Sequence, residues 1–231
     1  MDPIVRAIDL WKEYPQDGQK GTAALRGAGL EVRPGEIVAL LGKSGSGKTT
    51  LLNLIAGIDR PTKGRIEVGG RDLEALGEKG RTKWRRLRLG FVFQFFNLLP
   101  TLTAFENVFL SLELAGRRYP QLALDALRDV GLEGKGHRYP NELSGGEQQR
   151  VAIARAIVKQ PLLILADEPT GNLDTQTGKT VLDLLVGECR RRSTTMIMAS
   201  HAALSRRSAD RILRIVDGII VEETPATDFE P

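Results

Sequence analysis

The chain of 231 residues has a single cysteine and two histidines. Cys189 alone cannot form an internal disulfide framework, and it suits a reducing compartment. The same scarcity excludes zinc sites of the multi-cysteine kind. Long apolar runs are also missing. No stretch approaches the roughly 20 residues needed to cross a bilayer. The opening "MDPIVRAIDL" has no basic region ahead of an apolar core, so no secretory leader is expected. Linkers, low-complexity tracts and internal repeats are absent, which leaves one large domain or two intimate subdomains. Charge of one sign does not dominate: 33 Lys and Arg stand against 29 Asp and Glu, a net charge of +4. That balance permits contact with nucleic acid or anionic lipid and demands neither.

Short apolar runs alternate with helical patterns. "IVRAIDL", "EIVALL" and "GRIEVGG" read as strands near the front, and "GFVFQ", "LLILAD", "TTMIMAS" and "RILRIVDGIIVEE" later. The last carries an Asp217-Gly218 hairpin signal. The runs from Leu162 and Thr194 lack period-two alternation, so they should be buried on both faces, as in a parallel sheet. "TQTGKTVLDLLVGECRR" between them reads as a crossover helix. From about Phe95 to Gln160 the patterns are mostly helical. The expected architecture is therefore α/β, with a core formed by residues 1–94 and 161–231 and a helical subdomain, residues 95–160, inserted into it. The tail from Thr224 is polar and expected to fray.

The stretch "LLGKSGSGKTTLLNLIAG" holds few bulky side chains and many accessible backbone N–H groups. Gly42, Gly47, Lys48 and Thr49 fit G-x-x-x-x-G-K-[ST], the phosphate-binding loop pattern. Glycines let Gly42, Lys43, Ser44, Gly45, Ser46 and Gly47 turn their N–H groups inward as an anion nest. The helix that begins near Lys48, with Thr49 and Thr50 in its first turn, adds its N-terminal dipole. Lys48 would reach the β- and γ-phosphates, and Thr49 would hold Mg²⁺. Gly57 reads as the stop of this helix.

A second site lies in "LLILADEPTGNLD". In phosphate-loop proteins an acidic residue ends a neighbouring strand and binds Mg²⁺ through water, the role expected of Asp167. Glu168, one residue on, could orient or deprotonate an attacking water. His201 follows another apolar strand, at the edge where open α/β folds bind ligands, and could hydrogen-bond a γ-phosphate. "LSGGEQQR", Leu143 to Arg150, places a serine and two glycines before a helix. Ser144, Gly145 and Gly146 thus form another anion-binding helix start. Ser144 with Glu147 also reads as a local capping box. Two γ-phosphate sites with only one phosphate loop suggest a two-fold dimer in which each chain serves its partner's nucleotide.

These motifs, in this order, resemble the ATP-binding cassette (ABC) ATPases over nearly the whole chain. The resemblance implies a RecA-like P-loop NTPase core with N-terminal antiparallel β elements and the inserted helical subdomain. It implies ATP and Mg²⁺ as ligands. It makes Gln94 the Q-loop glutamine that touches Mg²⁺ or the attacking water, "LSGGEQQR" the signature, and "LLILADE" the Walker B strand. Asp174 becomes the D-loop aspartate, His201 the switch histidine, and Tyr14 the aromatic that stacks on adenine. Trp11 lies close by, and a packing role for Tyr14 is the alternative. Ala202 departs from the acidic residue common after the histidine.

Within the family, "GFVFQFFNLLPTLTAFENV" and "ADEPTGNLD" look like the subgroup serving lipoprotein release, macrolide-type efflux and cell division. The implied partners are a second copy of the chain, head to tail, and separate transmembrane permease subunits at the cytoplasmic face of the inner or plasma membrane. Nucleic acid is not expected as a partner. The alternatives are a soluble ABC ATPase acting on DNA or ribosomes and a weakly hydrolysing cell-division scaffold.

Two surfaces stand out. The segment with Phe95, Phe96, Leu98, Leu99 and Leu102, broken by Pro100, is too apolar for a simple solvent loop. Some of these residues are expected to pack inside the helical subdomain and the others to dock a short helix of the membrane subunit. "EKGRTKWRRLRLGF" reads as an amphipathic helix with Trp84, Leu87 and Phe91 on one face. Its cations either form a solvated face or lie near anionic lipid or an acidic partner.

Overall fold

The computed structural model describes residues 2–16, 19–200, 206 and 208–225. The chain divides into two compact units, Met1–Arg85 with Thr195–Pro231 and Arg86–Thr194.

In the first unit, β1 (Val5–Gln16) pairs antiparallel with β2 (Gln19–Val32) on one side and β4 (Lys63–Val68) on the other. A two-residue strand, β5 (Arg71–Asp72), extends β4. Beside this antiparallel layer, β3 (Ile37–Leu41) lies parallel to both β8 (Thr195–Ser200) and β9 (Arg211–Val216). Every residue of β3 and β8 is buried, as expected for apolar runs without alternation. β9 returns as β10 (Ile219–Pro225) through Asp217 and Gly218, both at positive φ (48° and 80°), the geometry that a tight hairpin turn needs. α1 (Lys48–Ile55) ends at Ala56, and Gly57 takes the left-handed conformation (φ 64°) of a helix stop.

Helix α2 (Gly77–Arg88) is shorter than its periodicity suggests. Phe91 does not belong to it. The chain becomes extended at Leu89, and Phe91 stacks on Phe93 two residues along β6 (Leu89–Phe93), ring centroids 4.7 Å apart. Arg81 is not on a solvated face either. It is 2% exposed, ion-paired with Glu78 at 2.5 Å, and Glu78 also binds Arg85.

In the second unit, β6 runs parallel to β7 (Leu163–Asp167), with Phe93 opposite Asp167 at their ends. α3 (Ala104–Leu114) begins with a Thr103–Glu106 capping box, and α4 (Pro120–Asp129) with proline in its first turn. α5 (Gly145–Ile157) is the central helix, burying Val151, Ala152, Ile153, Ala154, Ala156 and Ile157. At roughly 25 cal/mol per Å² of apolar area, such a face is a main source of this unit's stability. α6 (Thr175–Arg191) closes the unit, and its Glu188 binds Arg191 and Arg192, which both reach Asp129 at the end of α4.

Candidate nucleotide-binding and hydrolysis site

The loop between β3 and α1 is built by backbone. Gly47 caps α1 at φ 107°, and the helix has neither a side-chain cap nor an acidic residue in its first turn. Its leading N–H groups therefore face no built-in anion, the arrangement that receives phosphate. The glycines are required by their surroundings. A Cβ on Gly42 would lie 2.5 Å from the Ile215 carbonyl oxygen and from Ser46 Oγ, and one on Gly47 would lie 2.5 Å from the Ala24 carbonyl oxygen. Lys48 is buried, and its ammonium donates to the carbonyls of Gly42 (2.8 Å) and Lys43 (3.1 Å). It is thereby held inside the ring of the loop. Ser46 Oγ is buried without a hydrogen-bond partner, an orphan polar atom in the loop's own wall.

Tyr14 is half in solvent near the end of β1, and its orientation is fixed. Its hydroxyl donates to Asp59 (3.0 Å), Lys12 donates to the other Asp59 oxygen (2.7 Å), and the Lys12 ammonium stands 4.9 Å from the ring centroid. Partial burial of Asp59 would raise its pKa. Lys12, the Arg60 N–H and the Tyr14 hydroxyl overcome that and hold it below the usual carboxylate range. Trp11 instead donates to Asp9 (3.0 Å).

In the second unit the parallel register brings the ends of β6 and β7 side by side, so Gln94 and Glu168 each follow a strand end. Glu168 has φ 48°, a left-handed backbone at a residue followed by proline, the kind of strain that gathers at functional turns. Gln94 and Asn172 hold each other reciprocally. Gln94 Nε2 donates to Asn172 Oδ1, and Asn172 Nδ2 donates to the Gln94 carbonyl, both at 3.1 Å. Gln94 lies flat on Gly171, where a Cβ would stand 2.8 Å from its Nε2.

Ser144 caps α5. It accepts the Glu147 N–H (3.3 Å) while the Glu147 carboxylate accepts the Ser144 N–H (2.8 Å), so the local capping box is present. Lys135 and the Ser144 N–H together pull the Glu147 pKa down to about 2. The start of α5 fits closely against the start of α6. A Cβ on Gly146 would lie 2.6 Å from Thr177 Cγ2, and one on Gly145 would lie 3.3 Å from Leu173 Cδ2. Asp174 caps α6 by accepting the N–H groups of Gln176 (3.1 Å) and Thr177 (3.0 Å). These bonds hold its pKa below the usual value, the Thr177 contact foremost.

Among the residues singled out from sequence, this unit brings Gln94, Asp167 and Glu168 to adjoining strand ends, and Ser144, Gly145, Gly146 and Asp174 to adjoining helix starts. His201 lies outside the described residues. The sequence reading missed Asn172, Gly171 and Gln149. Gln149 is fully buried and donates to the carbonyls of Phe93 (3.2 Å) and Pro169 (2.5 Å), the residues flanking Gln94 and Glu168. No composition signal marks it, because its partners are backbone oxygens. Among the described residues no group of three or more His, Cys, Asp or Glu could hold a metal ion by itself.

Comparison with known proteins gives this geometry its context. The ABC transporter family model matches residues 25–171. An uncharacterized ABC transporter ATP-binding protein of Mycobacterium tuberculosis is 46% identical over 99% of this chain and 92% of its own length. The lipoprotein-releasing system ATP-binding protein LolD of Pseudomonas fluorescens is 45% identical over 94% of this chain and 97% of its own. Among solved structures, the ATP-binding cassette MJ0796, in a dimeric post-hydrolysis state bound to ADP and phosphate, superposes with a TM-score of 0.89. It is 38% identical, covering 97% of this chain and all (100%) of that one. CbiO1 of Clostridium perfringens, part of the transporter complex CbiONQ, gives 0.86 at 27% identity, covering 99% of this chain and 90% of that one. The chain belongs to the ABC transporter family, as an ATP-binding and ATP-hydrolysing subunit.

Proposed function

We propose that two copies of the chain close head to tail on ATP, each offering the helix start at Ser144 to the nucleotide on its partner's phosphate loop, and that this cycle drives separate membrane subunits. The observation that carries the reading is the pair of helix starts. α1 begins at a glycine with no side-chain cap, whereas α5 begins at a serine whose hydroxyl and two following glycines are presented together. A γ-phosphate suits both. The dimeric cassette MJ0796 supports the pairing.

In this reading Lys48 and the loop amides bind the β- and γ-phosphates, Thr49 and Asp167 hold Mg²⁺, and Gln94 contacts the ion or the attacking water. The donor set is hydroxyl, amide and carboxylate oxygen, which fits a hard divalent cation. Bound there, Mg²⁺ would supply charge neutralisation at the phosphates. Glu168 orients or deprotonates the water, and His201 steadies the γ-phosphate. Tyr14 stacks on adenine. Catalysis then rests on placement and charge.

Phe95 (71% exposed) and Leu99 (45% exposed) form the docking patch for a short helix of the membrane subunit. Asn107 supports it from beneath. Buried in α3, its amide group exchanges hydrogen bonds with both the N–H (2.8 Å) and the carbonyl (3.1 Å) of Leu99. The partner's membrane placement makes the chain peripheral, on the side where ATP is available. No described helix is long and apolar enough to cross a membrane. The relatives named for lipoprotein release point to lipoprotein release as the work performed, and the subgroup resemblance of the sequence adds lipid release or efflux.

Glu168→Gln tests the reading. The amide keeps the shape and removes the base and its charge. We expect turnover to fall about 10²–10⁴-fold, with ATP binding retained and a dimer trapped by Mg-ATP on size-exclusion chromatography. Normal turnover in this variant would remove Glu168 from the mechanism.

A further inference from the structure

Helix α5 does more than present Ser144. On its buried side, Gln149 holds the Phe93 carbonyl, and further along Arg155 donates to the carbonyl of Phe96 (2.7 Å) and to that of Asn97. Arg155 is half-buried, and burial pulls its pKa below the ordinary arginine value. No carboxylate pairs with it among the described residues. A desolvated guanidinium compensated only by two loop carbonyls is an expensive way to fill space, and an aliphatic side chain would pack there at less cost. What it holds is unusual. Phe96 and Asn97 are successive non-glycine residues at φ 58° and 50°, a conformation disfavoured by roughly 1–2 kcal/mol for Phe96 and by less for Asn97. Their N–H groups bond locally, Phe96 to the Phe93 carbonyl (3.3 Å) and Asn97 to that of Phe95 (2.5 Å). The double left-handed turn therefore begins two residues after Gln94, with Phe95 between.

We infer that Arg155 is a positioning residue: its guanidinium locks Phe96 and Asn97 in the left-handed turn, fixes the attitude of Gln94, and ties the Phe95–Leu99 patch to the helix that begins at Ser144. The inference rests on the roles proposed above for Gln94 and the docking patch. Phe95 sits between Gln94 and the clamped pair, so a push on its exposed ring is delivered to α5 through Arg155 rather than absorbed by a yielding loop. The fork geometry matters, because the two terminal nitrogens of one planar guanidinium each take one of the two adjacent carbonyls in a fixed orientation, which the freely rotating point charge of an ammonium does not impose.

The test uses the full-length chain. Arg155→Met keeps the apolar stem and removes the donors. Amide exchange at residues 95–99 should accelerate about tenfold or more as the turn opens. The kcat for Mg-ATP should drop about tenfold while KM moves less than about twofold, since the phosphate loop is untouched. Adding Asn97→Gly, which takes the left-handed conformation without strain, should restore kcat about threefold, and Arg155→Lys should fall between Met and wild type. Unchanged exchange and kcat in Arg155→Met would overturn the inference. So would a parallel rise in KM with no recovery from Asn97→Gly, which would mark a merely structural residue. If Arg155→Met fails to fold, Arg155→Lys carries the same exchange comparison, and wild-type protection there refutes the clamp. Glu168→Gln measured alongside separates the two claims: its failure removes the catalytic reading and leaves the exchange result standing.

Discussion

The loop after β3 and the loop after β6 both leave the end of a buried parallel strand, yet they are held by different means. In the first, three glycines at Gly42, Gly45 and Gly47 let the chain fold upon itself, and the atoms pressing on Gly42 and Gly47 include backbone carbonyls of Ile215 and Ala24. In the second, there is no glycine between Gln94 and Thr103, and the turn is imposed by side chains reaching from Gln149, Arg155 and Asn107. A loop shaped by its own backbone makes a fixed cradle. A loop shaped by tethers from a helix can move with that helix. This difference suits a nucleotide site in the first case and a transmitting segment in the second.

Substitutions sharpen the contrast. Gly42→Ala should be the most damaging, because its Cβ would meet a carbonyl oxygen that cannot rotate away. A loss of about 3 kcal/mol in stability, with ATP binding abolished, is the expected result by calorimetric melting and nucleotide titration. Gly146→Ala should cost less, about 1–2 kcal/mol, because its Cβ meets only the Thr177 methyl at 2.6 Å. Thr177→Ser removes that methyl and should recover most of the melting temperature, whereas no single side-chain change should rescue Gly42→Ala. An equal loss at both glycines, or no recovery with Thr177→Ser, would erase the distinction.

How far the sequence foretells these two regions follows the same line. The phosphate loop, its strand and its helix are legible because glycine, lysine and threonine at fixed spacing are themselves the cause of the structure. β6, β7, β8 and the long helix α6 are legible from apolar runs and period. β2 is not, because "QKGTAALRGAGLEV" is rich in glycine and alanine, and its extension comes from pairing with β1. Phe91 misleads because its spacing continues a helix that Leu89 has already ended. Gln149, Arg155 and Asn172 carry no pattern, since each binds groups distant in sequence. Ser144 and Asp174 are read from motif as ligand-facing and Ser144 also as half of a capping box; the structure has that box and adds that Asp174 is a helix cap as well.

The smallest effect expected concerns acidity at the start of α5. Glu147 is held by Lys135 and by the Ser144 N–H, with its pKa lowered from 4.5 to about 2. A carboxylate depressed in the folded state contributes stability above its unfolded pKa and loses it as pH falls through the folded one. Wild type should therefore melt slightly above Glu147→Gln at pH 7, with the gap closing between about pH 4.5 and pH 2. The exposed position of Lys135 keeps this effect modest. A gap that persists unchanged to pH 2 would show that the Glu147 charge is not what steadies the helix start.

The central claim, that one chain's signature serves the other chain's phosphate loop, is tested most directly by mixing two inactive variants. Lys48→Ala disables the loop. Ser144→Asp keeps a good helix cap but sets a negative charge where a phosphate must lie. Each alone should hydrolyse almost no ATP. Combined in equal amounts, half the dimers would be hybrids in which one composite site is intact, so turnover should return to about a quarter of the wild-type rate. A mixture as inactive as its components, with hybrid dimers demonstrably formed, would contradict the claim.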